Sequence, residues 1–274
     1  MMKKIKLGLI SFGLFILALL FISPFYFVII NSIKEQREIL VNPAALPTKI
    51  TFDNFKNVWE MIRFPRAFFN SFVITFFSTL GIVVLSSMTA YRITRVKSRF
   101  HQLLFSVFIA SMVIPFQSIM LPLVKVVADL NLSNSYVGLI LCYFGFGAPL
   151  AIFLYSGFVN SIPRTIEEAA IIDGCTTLGV FVRVVFPLMA PMTATVIILN
   201  TLWIWNDFLM PSLLLQSKEL KTIPIEINNF FSMYTKKWDL AIAGLAMAIS
   251  PMIIFFLSLQ KYVVSGIVAG SVKG

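Results

Sequence analysis

Three residues of one apolar run carry side chains suited to binding a polar solute: Asn200, Trp203 and Asp207. At i, i+3 and i+7 they share one face of a continuous helix. An indole face packs against apolar C–H groups while an amide and a carboxylate bond hydroxyls, a combination that suits a sugar. A carboxylate inside a membrane-length run is a functional candidate by default, yet Asp207 lies near the end of its run, where a structural or interfacial role is equally open to it. Packing is the corresponding alternative for Trp203, and Gln117, between Pro115 and Pro122, is a weaker candidate of the same kind. Bond-making chemistry is missing. There is a single histidine, His101, and no H-E-x-x-H, G-x-x-x-x-G-K-[ST] or G-x-S-x-G motif. Cys142 lies in an apolar run and Cys175 in a polar loop, so they form no disulfide framework. No catalytic residue, metal site or cofactor is expected on this chain.

The elements that must position these residues are membrane spans. Of the 274 residues 58% are hydrophobic and 12% charged, and the mean hydropathy is +0.90. Soluble domains run at about 25% charged residues, so a water-soluble globular protein is excluded. Apolar runs at 7–30, 71–91, 103–124, 136–158, 188–215 and 240–259 each reach the roughly 20 residues that a bilayer crossing needs. The first is too long for a signal-peptide core and lacks a clear small-x-small cleavage site, so it is expected to stay as a span. The expected fold is an all-α integral membrane protein of six transmembrane helices, a single domain over 1–274, with both termini on one side. The net charge of +10 comes from basic residues in short groups between apolar runs, the pattern of membrane flanks and not of a nucleic-acid surface.

With the N-terminus inside, half of the 22 basic residues fall on the inner side, so the count alone decides nothing. Position decides it: Lys3, Lys4 and Lys6 enter the first span without an acidic neighbour, and the tight turn at 92–99 holds four cations and no anion. Both termini are therefore expected in the cytoplasm. Pro24, Pro115, Pro122, Pro149 and Pro251 fall in or near spans, and Gly145, Gly147 and Pro149 are expected to break the fourth. Such breaks fit bent helices lining a pathway as well as the ordinary abundance of proline in membrane helices. Between the first two spans, Phe52, Phe55, Trp59 and Ile62 recur at helical spacing, which predicts an amphipathic helix at the outer interface.

The interval 161–187 reads as helix, turn, helix. Pro163 suits a first turn and Thr165-x-x-Glu168 fits a capping box, two starts a few residues apart. Gly174 takes the positive φ that stops the first helix, Thr176 or Thr177 opens the second, and Pro187 ends it. The result is a compact knob on the cytoplasmic face.

Within that knob Glu168-Ala169-Ala170, Asp173-Gly174, then Phe181, Val184, Pro187 and Pro191 resemble the EAA motif of permease subunits of binding-protein-dependent ABC importers. Cys175 stands where the family usually has alanine, and Val184 where it usually has isoleucine. Asn31-Ser-Ile-Lys34, Asn42-Pro-Ala-Ala-Leu-Pro47, Thr51-Phe-Asp-Asn-Phe55, Trp203-Ile-Trp-Asn-Asp-Phe208 and the ending from Gln260 are similar to the shorter, maltose-importer-type sugar permease, one half of a heterodimer. The resemblance implies a type I ABC importer permease fold in a bacterial cytoplasmic membrane. It implies that the knob is a coupling helix, with Glu168 the ionic contact to an ATPase subunit, Ala169 and Ala170 the close-packing face, and Gly174 the turn. The partners it implies are a second permease, two ATPase subunits carrying ATP and Mg, and an extracytoplasmic solute-binding protein. It further places the loop at about 216–238 against the binding protein and the tail 260–274 against the ATPases. The cargo it implies is a carbohydrate. Another solute, glycerol phosphate or a polyamine, stays open because the EAA motif reports the ATPase and not the cargo. A secondary transporter would need ionisable coupling groups near the midplane, and a membrane enzyme an acid, base or nucleophile; the spans offer neither set.

Overall fold

A computed structural model describes the backbone of residues 2–231 and 237–271 and the side chains of 7–231 and 237–259. Among them every regular element is a helix. Four helices are long and apolar enough to cross a bilayer, and two bent helix pairs bring the number of spans to six when each pair counts as one. The chain divides into two compact units, residues 1–65 with 223–251, and residues 66–222 with 252–274.

In the first unit α1 (Met2–Ser32) is apolar on all sides, as its near-absent amphipathic pattern requires. Its side chains are exposed until the last turn, the surface of a helix solvated by lipid or by another membrane chain. There the polar motifs close on one another. Lys34 is fully buried, and its Nζ donates to the carbonyls of Asn42 at 3.2 Å and Ala45 at 2.5 Å. Asn54 Nδ2 donates to the carbonyls of Ser32 at 3.1 Å and Lys34 at 2.7 Å. Asn31 Nδ2 donates to Phe27 and Pro43 carbonyls, and Tyr26 Oη to that of Ala44. This knot positions α2 (Gln36–Val41) and α3 (Asp53–Met61). Helix α3 is amphipathic, but its buried stripe is Asn54, Val58 and Ile62, while Phe52 and Trp59 stay exposed. Val58 and Ile227 of α13 (Ile223–Asn228) meet Gly244 of α14 (Trp238–Ser271), where an added Cβ would lie 3.3 Å from Ile227 Cγ1.

The second unit is built on α4 (Phe64–Arg95) and α7 (Tyr136–Ser161). Small residues let these helices approach: a Cβ on Gly81 would run into the Phe144 ring, and one on Gly147 into the Ile82 side chain. Each glycine leaves room for a side chain of the other helix, a packing that small residues allow. Tyr143, Tyr155, Leu139, Ile152 and Ile82 fill the core.

Three spans differ from their sequence expectation. The run 103–124 is two helices, α5 (Arg99–Ser111) and α6 (Phe116–Asp129), bent by 107°. Pro115 forces the preceding residue out of the helical region and itself sits extended at ψ 134. The run 136–158 is unbroken, with Pro149 inside α7; proline kinks need not end a membrane helix when neighbours take up the freed carbonyl. The run 188–215 ends early: α11 (Ala190–Asn206) stops before Asp207, and a separate α12 (Leu209–Leu214) follows. The expected tail over 260–271 is the last part of α14; its side chains, and residues 272–274, lie outside the described residues, as does the 232–236 part of the expected binding-protein loop.

Candidate functional site

Between α7 and α11 the chain makes the two-helix knob. Helix α8 (Arg164–Ile172) starts from Pro163 with no side-chain cap, so Thr165 and Glu168 form no capping box. Pro163 supplies the start because its missing N–H is no loss there. Gly174 has φ +85, donates its N–H to the carbonyl of Ile171, and reverses the chain. Thr176 then caps α9 (Thr177–Val180) through Gly179 N at 3.1 Å. The second helix runs on as a π-turn, Phe181–Val185, and a last helical turn, α10 (Phe186–Leu188). Pro187 lies within that turn, and Met189 closes it. The segment 177–188 meets α11 at 75°.

The EAA residues separate by helix phase. Glu168, Ala169 and Asp173 are exposed and Ala170 is buried, as is Phe181. Ile166, Ile171 and Leu178 are also exposed, and Ile172 is 86% exposed. Glu168 and Asp173 thus share the exposed surface of the knob with Ile166, Ile171 and Ile172. Buried on the opposite face is Glu167, which sequence reasoning passed over. Its Oε1 accepts from Arg95 Nε at 2.7 Å and Arg95 Nη2 at 2.5 Å, and its Oε2 accepts from Tyr91 Oη at 2.8 Å. Arg95 Nη2 also donates to the Ile162 carbonyl at 2.9 Å, and Arg164 donates back to the Arg95 carbonyl. The Tyr91 ring lies 5.2 Å from that of Phe181. The last turn of α4 thus grips both halves of the knob. Tyr91 and Arg95 stand at i and i+4, a pairing visible in the sequence; which of two adjacent glutamates turns inward is visible only once the helix phase is known.

The expected solute face is not one surface. Asn200 is buried and donates to the Val196 carbonyl at 2.9 Å, with its Oδ1 close against α7 at Gly147. Trp203 is 41% exposed. Asp207 stands past the end of α11 at ψ 125, so helical spacing does not carry it onto the Asn200 and Trp203 face. Its Oδ2 accepts from Tyr143 Oη at 2.9 Å and its Oδ1 from Leu209 N at 2.9 Å. The Tyr143 ring stands edge-on to Trp203 at 5.5 Å. Tyr143, Trp203 and Asp207 therefore form one cluster, in which Asp207 also starts α12 through an Asx turn. Gln117 is exposed in the first turn of α6 and belongs to none of this. Among the described residues no group of three histidine, cysteine, aspartate or glutamate side chains is arranged to hold a metal.

Four membrane-length helices and two bent helix pairs, with a helical knob between α7 and α11, define a multi-pass membrane protein. The family model for the binding-protein-dependent transport system inner membrane component matches residues 63–268. The chain is 42% identical over 275 residues to a "Probable starch degradation products transport system permease protein AmyC" of Thermoanaerobacterium thermosulfurigenes, covering 99% of this chain and 100% of that one. It is 35% identical over 252 residues to the melibiose/raffinose/stachyose import permease protein MelC of Bacillus subtilis, covering 92% and 91%. Its fold matches a crystal structure of a bacterial ABC transporter involved in the import of alginate, with a TM-score of 0.83 at 22% identity, over 95% of this chain and 97% of that one. The chain belongs to the family of inner membrane components of binding-protein-dependent transport systems, and it has the type I permease fold.

Proposed function

We propose that this chain is a non-catalytic half of the translocation pathway of an ATP-driven carbohydrate importer, paired with a second permease. Its knob docks on one of two ATPase subunits, which carry the ATP and Mg, and an extracytoplasmic binding protein delivers the solute. The observation that carries the reading is the knob, where Glu168, Ala169 and Asp173 stay exposed while Ala170 and Phe181 fold inward. A positive φ at Gly174 gives the motif's glycine a physical reason. Carbohydrate as the cargo rests on the relatives, whose names specify starch degradation products and raffinose-type sugars. Both termini are assigned to the cytoplasm, on the same side as the knob, because six spans return the chain to its starting side and the N-terminal flank is basic. Glu168, Ala169, Ala170, Asp173, Gly174, Phe181 and Pro187 serve the coupling, the first two and Asp173 by contact and Ala170 and Phe181 from within the knob. Asn200, Trp203 and Asp207 with Tyr143 are the pathway candidates on this chain, and Gln117 is a weaker one.

Charge reversal at the exposed carboxylate tests the docking. Glu168→Lys is expected to leave the spans inserted, lose ATPase co-purification or transport-coupled hydrolysis, and regain part of it when the facing basic residue of the ATPase is made acidic. Losing one partner of a desolvated interfacial charge pair costs about 2–5 kcal/mol. Wild-type assembly and uptake in Glu168→Lys would remove the knob from the coupling role. Uptake of labelled malto-oligosaccharides and raffinose by cells expressing the whole transporter decides the cargo.

A further inference from the structure

The exposed glutamate accounts for docking but not for how a push on the knob reaches the spans. Glu167 does. Its side chain keeps 10% of its accessible surface and that of Arg95 13%, so the pair is shielded from water and weakly screened by salt. One carboxylate is engaged through both oxygens by two residues one turn apart on α4, Tyr91 and Arg95. The same guanidinium holds the Ile162 carbonyl at the end of α7. Arg164, the first residue of α8, returns a bond to the last residue of α4. The other half of the knob leans on the same turn of α4 through Phe181 against Tyr91.

We propose that Glu167, Arg95 and Tyr91 are positioning residues that lock the knob to the cytoplasmic end of α4, so that displacement of the knob by the ATPase is delivered to that span as a rigid-body motion. The inference rests on the reading of the knob as the ATPase-docking element. A buried charged contact with fixed, directional geometry suits such a lock, because it resists shear where apolar contacts slide. Coupling of this kind is a free energy shared between two sites, and among the described residues the joint is the single place where α8 and α4 share it through an ion pair. Docking and transmission are thereby divided between adjacent residues, Glu168 facing out and Glu167 facing in, about 100° apart on one helix.

The test uses the assembled transporter in proteoliposomes with its binding protein. Glu167→Gln keeps the shape and removes the charge; the exchange Arg95→Glu with Glu167→Arg restores a pair with reversed polarity. In Glu167→Gln, ATPase co-purification is expected to stay at the wild-type level. Uptake and the stimulation of ATP hydrolysis by the binding protein are expected to fall about tenfold, within the usual range of coupling factors, while unstimulated hydrolysis continues. The exchange variant is expected to recover part of the stimulation. Three results would overturn the inference: wild-type stimulation and uptake in Glu167→Gln, no recovery in the exchange variant, or failure of Glu167→Gln to accumulate in the membrane, which would make the cluster a folding element only. A wild-type chain that fails to co-purify with ATPase would instead overturn the docking reading, which separates the two failures.

Discussion

Two of the described regions shield a basic side chain from water, and they satisfy it by opposite means. At the end of α1, Lys34 is fully enclosed and its Nζ meets neutral backbone carbonyls of the loop that follows. At the end of α4, Arg95 meets a carboxylate from a different element, α8. A knot made of one side chain and nearby carbonyls closes a loop of about a dozen residues and has nothing to exchange with. An ion pair between elements far apart in sequence joins two helices of one unit. The first arrangement therefore serves shape, and the second serves transmission between parts that must move together.

The largest effect expected from this contrast is at the ion pair. Arg95→Ala leaves Glu167 buried without its countercharge, and breaking a buried pair from one side costs about 3–5 kcal/mol. The melting temperature of the detergent-solubilised chain is expected to drop strongly, and uptake per inserted molecule to drop with it. If Arg95→Ala melts like the wild type, the pair is no joint. Lys34→Met comes next. It keeps much of the buried stem and leaves the Asn42 and Ala45 carbonyls unpaired, at about 1–3 kcal/mol. Here the melting temperature is expected to fall while uptake per folded molecule holds, the signature that separates a knot from a joint. Equal loss of uptake per folded molecule in both variants would erase the contrast.

The knob has one more dependence that the Lys34 knot lacks, a single backbone angle. Gly174 stands at φ +85 with nothing within 4 Å of where a Cβ would go, so substitution there meets no clash and its cost is conformational. A left-handed residue costs roughly 1–2 kcal/mol for ordinary side chains, and a β-branched one is the least tolerant. Gly174→Val is expected to misdirect α9 and reduce ATPase co-purification, and Gly174→Asn to lose less, because Asn131 and Asn134 already hold φ 57 and 54 in this chain. Co-purification at the wild-type level in Gly174→Val would show that the turn is not needed for docking.

How much of this was legible in the sequence follows from the kind of signal each element leaves. Membrane-length apolar runs and the positive-φ glycine are local signals: four of the runs are single membrane-length helices, and Gly174 has the positive φ. Helix ends inside apolar runs are not local. Pro115 stands extended ahead of α6 while Pro149 lies inside α7, and the residue type alone does not separate the two outcomes. Asp207 reads as helical from spacing, yet the chain turns before it and its oxygens go to Tyr143 and Leu209. The polar motifs around Asn31, Asn42 and Asn54 are recognisable as words, but that they bond one another needs the folded loop.

The smallest effect is expected where the polar cluster of the second unit meets the surface. Trp203 is less than half exposed and touches the Tyr143 ring edge-on, a contact worth about 0.5–1.5 kcal/mol beyond its area. Its removal strands no buried polar group, because Tyr143 keeps its bond to Asp207. Stability and ATPase assembly should therefore barely change in Trp203→Ala, in contrast to both buried basic sites. Uptake is the discriminating measurement. If the indole packs against a passing sugar, the maximal rate should fall or the apparent KM rise several-fold while stimulated ATP hydrolysis continues. Kinetics unchanged from the wild type would return Trp203 to packing, leaving Asp207 and Tyr143 as a structural bond between α7 and the start of α12.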